Sequence, residues 1–147
     1  MSRVASTILA AILGAGAAML ATGAAGAADL AVGADYGDPG VCGSASVLNR
    51  ITERFSYQVR HVPNLPDVSI TDFQRVHEHR YLPADEDHPI ARRYCGATVA
   101  LSDGGSRDVW YLIEEGMGFA SIGDNVEFCV SGFDRWYVYN GRCRVLR

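Results

Sequence analysis

Four cysteines, Cys42, Cys95, Cys129 and Cys143, constrain this chain more than any other feature. An even set behind a secretory leader reads as two disulfides formed in an oxidising compartment. Three connectivities are possible. The pairing expected is Cys42 with Cys95 and Cys129 with Cys143, the second closing a short loop around a turn. Each bridge would contribute roughly 3 to 4 kcal/mol by restricting the unfolded chain, a large part of a small domain's net stability. No cysteine sits in a CxxC pair, which argues against zinc, and paired thiols offer no nucleophile.

The leader spans residues 1–27. Arg3 is the positive start, "TILAAILGAGAAML" the apolar stretch, and "ATGAAGAA" the small-residue region, so cleavage is expected after Ala27 or Ala28. A spanning helix is the competing reading, because no charge occurs between Arg3 and Asp29, although glycine and alanine make the run weakly apolar. Membrane contact is therefore expected only through this segment, if it stays uncleaved. Cys42 follows "DPGV" rather than a lipobox. Cleavage after Ala27 takes 27 of the 147 residues and leaves 120, enough for one domain with a real core. One arginine and no acid leave with the leader, which moves the formal net charge from −4 to −5 and argues against nucleic acid as a partner. Every basic residue is arginine. Arginine suits planar ion pairs and aromatic stacking, but codon bias in a GC-rich genome gives the same composition.

Residues 28–41 are rich in Gly, Asp and Ala without sustained periodicity, and read as a flexible lead-in to a single domain over 42–147. In "SASVLNRITERFSYQVRHV", Leu48, Ile51, Phe55, Val59 and Val62 recur at the period of one helix face. Ser44 or Ser46 can cap its start, Pro63 and Pro66 stop it, and Arg50, Glu53, Arg54 and His61 fall on the water side. Residues 69–82 fit a helical period through Ile70, Phe73 and Val76 but are read as a strand. Cys95, Ala97, Val99 and Leu101 then alternate onto one face, "SDGGS" supplies a turn, and "VWYLI" is β-branched and aromatic, so the pair makes a hairpin. "GMGFASIGD" is an irregular crossing before the strand "NVEFCV". In "RWYVYNGRCRVLR", Asn140-Gly141 predicts a two-residue type I′ turn. Its register would send Trp136, Val138, Cys143 and Val145 inward and present Tyr137, Tyr139, Arg142 and Arg144 on the other face.

One amphipathic helix followed by four to six antiparallel strands predicts an α+β domain with the helix stripe buried on the sheet, possible in a cystatin-like arrangement. The stretches "HVPNLPDVSI", "RYLPA", "PIARRYCGA", "IGDNVEFCV" and "YNGRCRVLR" resemble a group of uncharacterised small exported proteins of alphaproteobacteria. That resemblance implies a periplasmic or secreted setting and assigns no site residue.

Two candidate sites emerge. As a strand, "HEHRYLPADEDHP" would place His77 and His79 on one face about 6.6 Å apart, workable for two imidazoles on one ion. Pairing Leu82 near Ala91 would set Tyr94 and Gly96 opposite them, neither a zinc ligand, with His88 about 10 Å or more from His79. Asp85, Glu86 and Asp87 lack the DxDxDG spacing of a calcium loop. The second candidate is the Tyr137, Tyr139, Arg142 and Arg144 face, with Arg135 and Arg147 nearby, which can stack on a sugar ring or hold an anionic group; the competing reading is a self-satisfied cross-strand ladder. Trp110 and Trp136 are expected in the core. Ser102 and Ser106 lie in a turn, and Glu114 and Glu115 point to opposite faces, so no catalytic constellation follows from local spacing. The expectation is a non-enzymatic, exported binding module for a protein or glycan partner, needing no cofactor. The alternative is a metal-binding protein or small hydrolase using His77 and His79.

Overall fold

Helix α1, Ala45–His61, buries Val47, Ile51, Phe55 and Val59 on one side; the last three belong to the stripe that the spacing predicts, whereas its Leu48 and Val62 are only partly buried. These coordinates are a computed structural model that describes residues 40–147. The leader, and the lead-in apart from its last two residues, lie outside the described residues. Ser44 takes the N-cap position, but its hydroxyl meets the Ser46 hydroxyl at 3.3 Å instead of capping a backbone N–H. Val62 turns extended ahead of Pro63 and ends the helix, its N–H still donating to the Gln58 carbonyl.

Four strands follow in a meander: β1 Ile70–Leu82, β2 Arg92–Leu101, β3 Ser106–Glu114 and β4 Asn125–Val130. They form one antiparallel sheet in sequential order, with β1 and β4 as its edges. The fold is therefore α+β, one helix against a four-stranded open sheet. Cys95, Ala97, Val99 and Leu101 of β2 and Val109, Tyr111 and Ile113 of β3 are buried with the helix stripe in one core. Phe55 meets Phe133 edge-on, centroids 4.9 Å apart.

Both edges are protected. Strand β1 carries three register shifts, after Ile70, Gln74 and Glu78, and such bulges twist an edge away from further pairing. Beside β4, a helix row at four-residue spacing supplies donors: Arg50 to the Asp124 carbonyl, Arg54 to Val126 at 2.7 Å and Gln58 to Phe133 at 3.0 Å. Arg50 and Arg54, expected to face water, thus tie the helix to the sheet.

The disulfides are Cys42–Cys95 and Cys129–Cys143, the pairing expected among the three possible. The first joins the segment before α1 to β2 inside the core. Beside it the Tyr111 hydroxyl donates to the Cys42 carbonyl at 2.8 Å. The second lies in a smaller cluster with Leu146, against which Trp110, Leu112 and Tyr139 pack. Together the crosslinks mark an oxidising, non-cytoplasmic setting. Among the described residues no helix is long and apolar enough to cross a membrane.

The C-terminal hairpin does not form. Asn140 and Gly141 do take the positive φ that a type I′ turn needs, both 58°, but Tyr137, Arg142 and Cys143 take it as well. The chain therefore coils through successive turns into a short 3-10 helix, Arg144–Leu146. One local contact and one long-range tie accompany this path. The Asp134 carboxylate accepts from the Val138 and Tyr139 N–H groups at 2.8 and 2.9 Å, and the bond to Cys129 draws Cys143 into its buried cluster. Of the four side chains expected inward, only Cys143 is buried; Trp136, Val138 and Val145 are exposed.

Candidate functional site

The "HEHRYLPADEDHP" stretch resolves into strand and loop. His77 pairs with Gly96 as the expected register has it, but the bulge after Glu78 then shifts the ladder by one, so that Arg80 faces Tyr94 and Leu82 faces Arg92. His79 is the extra residue. Its ring still reaches Tyr94, centroids 6.2 Å apart, and it meets the Trp110 ring edge-on at 5.3 Å. His77 and His79 are 6.3 Å apart by centroid and share Trp110 as a neighbour. Gly96 leaves room for the His77 ring as placed, because a Cβ there would lie 2.8 Å from its Cε1 and 3.0 Å from Trp110 Cζ3.

Chemically, this face supplies two imidazoles. Among the described residues no three His, Cys, Asp or Glu side chains gather closely enough to hold a metal. His77 Nδ1 donates to the Arg75 carbonyl at 2.8 Å, so a backbone oxygen orients that ring. Thr98 and Asp108, which the spacing gave no reason to consider, line a cavity of about 190 Å³ with His77. The Thr98 hydroxyl there accepts from the Arg75 guanidinium. Burial, then the neighbouring His77 and Arg80, hold His79 below its ordinary pKa, with Glu78 opposing. Arg80 stacks on Tyr94 at 3.6 Å and Arg147 lies 5.3 Å over Trp110, cation-π pairs worth about 0.5 to 1 kcal/mol each when exposed. Asp85 serves its own loop. It accepts from the Asp87 and His88 backbone N–H groups, and the His88 bond holds its carboxyl below the usual range.

The second candidate face is divided. Tyr139 lines a cavity of about 420 Å³ between α1 and the C-terminal segment, whereas Tyr137 and Arg142 line another of about 680 Å³. Arg144 belongs to neither and donates to the Asn140 carbonyl at 3.1 Å. These four residues form no single surface, because the alternation that would align them needs a strand. Tyr139 is half-buried, and burial, then Glu127 and Asp134, raise its pKa against the opposing Arg54.

The first of these cavities is an aromatic groove. Tyr57 from α1, Phe128 from β4, and Trp136, Val138 and Tyr139 from the segment after it form the walls. Tyr57 stacks on His61 with centroids 3.7 Å apart, which holds its ring in place. Trp136, expected in the core, is 64% exposed; Tyr137 and Val138 beside it are 72% and 66% exposed. Only Trp110 keeps the place expected of a tryptophan, half-buried against the second cystine, though its Nε1 is buried with no hydrogen-bond partner. Compared with known proteins, the chain matches no family model, no curated protein and no solved structure.

Proposed function

We propose that this protein is an exported, non-enzymatic binding module that engages a protein or glycan partner in the periplasm through its cystine-tied C-terminal segment, residues 131–147. The observation that carries this reading is the pair of exposed side chains Trp136 and Val138, with Tyr57 60% exposed across the groove. Water contact with such apolar surface is unfavourable by about 25 cal/mol per Å², and covering it drives association. Aromatic side chains dominate binding hot spots because they bury large areas with few rotors to immobilise. A cavity of about 420 Å³ also falls in the range that holds small ligands or a sugar ring. The Cys129–Cys143 crosslink supports the reading further, since a segment without sheet pairing needs to be held in shape before it meets a partner.

The test compares the wild-type protein with Trp136→Ala and Tyr57→Ala, each first shown to keep native amide protection. Retention of a defined glycan or periplasmic protein should be lost in both variants. Equal retention by all three proteins would remove the groove from consideration. Metal binding or hydrolysis through His77 and His79 rests on their shared face, and would show as a stoichiometric metal that disappears in His77→Ala and His79→Ala.

A further inference from the structure

Tyr137 turns away from the aromatic groove and lines the cavity of about 680 Å³, together with Ser131, Asn64 and three arginines, Arg135, Arg142 and Arg147. Among the described residues no carboxylate pairs with any of these three guanidinium groups; the arginine salt bridges belong to Arg92 and Arg93. Asp134 also borders the cavity, but both of its oxygens already accept backbone N–H groups. Asp134 keeps its negative charge, so three positive charges stand against one around this cavity, an excess of positive charge in a chain whose formal net charge is −4. A bound anion would offset that excess, and planar guanidinium groups match the two oxygens of a carboxylate or phosphate.

The three positions are held by separate anchors. Arg135 follows buried Phe133, to whose carbonyl its backbone N–H donates at 3.0 Å. Arg142 sits in the left-handed turn directly before crosslinked Cys143. Arg147 follows buried Leu146 and rests over Trp110. Neutral donors, the Ser131 hydroxyl and the Asn64 amide, share the same wall.

We infer that this cavity binds an oxyanion, a carboxylate, sulfate or phosphate group, and that the ligand of the C-terminal segment is therefore anionic. The inference deepens the binding reading above and rests on it for the ligand's identity. The experiment titrates the disulfide-bonded protein with inorganic phosphate, sulfate and glucuronate, with chloride at matched ionic strength as control, and follows arginine Nε and backbone resonances. Saturable shifts should be confined to Arg135, Arg142, Arg147 and their neighbours. Arg142→Gln should weaken binding about tenfold, the factor that corresponds to roughly 1.4 kcal/mol. Tighter binding of glucuronate supports an acidic sugar, and tighter binding of phosphate or sulfate a tetrahedral anion. No saturable shift with any of the three, or shifts shared equally by surface arginines such as Arg60 and Arg107, would overturn the inference. Trp136→Ala should leave the phosphate titration unchanged, so failure of the aromatic groove is read separately.

Discussion

Removing the second disulfide should release the C-terminal segment while leaving the helix and sheet folded. The perturbation is Cys129→Ala with Cys143→Ala, alanine being chosen because both sulfurs are buried, 3% and 0% exposed, and a serine hydroxyl would be stranded there. The crosslink spans 14 residues, for which loop-closure entropy gives about 3 kcal/mol. Phe133, buried against Phe55, keeps the start of the segment on the main core, but little else opposes release beyond it. That part contributes no strand, Cys143 and Leu146 are its buried anchors in the second cluster, and Asp134 holds only the Val138 and Tyr139 amides. Hydrogen exchange read by mass spectrometry should therefore show protection lost at Val138, Tyr139, Asn140, Val145 and Leu146, with α1 and β2 retained. The contrast is Cys42–Cys95, which spans 53 residues inside the main core. Its removal should cost about 4 kcal/mol by the same reasoning and lower protection everywhere. C-terminal protection retained in the Cys129/Cys143 variant, or lost evenly through α1 and β2, would refute this role for the crosslink.

Tyr111→Phe should destabilise by about 1 to 3 kcal/mol, because the Cys42 carbonyl then loses its buried donor; thermal unfolding reads this as a fall in Tm of roughly 5 °C or more. Burial pushes the Tyr111 hydroxyl well above its ordinary pKa of 10, so the unfolded chain releases the proton first. Stability should hold below about pH 10 and decline above it, and the phenylalanine variant should lack that alkaline limb. His79 has the opposite sign. Its folded pKa lies below 6.5, so the unfolded chain takes up the proton first as pH falls, and stability present above about pH 6.5 is lost below it. His79→Gln should flatten that acid limb in urea midpoints measured against pH, and an unchanged slope would show that His79 does not contribute.

Legibility from the sequence followed the range of the interactions involved. The helix stripe, the β2–β3 hairpin and the strand Asn125–Val130 rest on local periodicity and turn chemistry, and these were readable. So was the face shared by His77 and His79, because a strand places residues two apart on one side. The shift at His79 was not readable, since a bulge depends on how two strands meet and leaves no mark in one of them. Asn140-Gly141 is the sharpest case. Its backbone took the expected positive φ, yet no hairpin followed.

What the chain determined by itself was that its four cysteines pair, its α+β class and most of its buried stripe; which cysteine meets which was one choice among three. Tertiary structure alone decided where the C-terminal aromatics and arginines point. There the Asp134 carboxylate, a few residues upstream, captured the Tyr139 amide that a ladder would need, and Cys143 is tied to β4. Trp136 and Val138 consequently lie in water beside an aromatic groove, while Arg135, Arg142 and Arg147 gather around the neighbouring cavity.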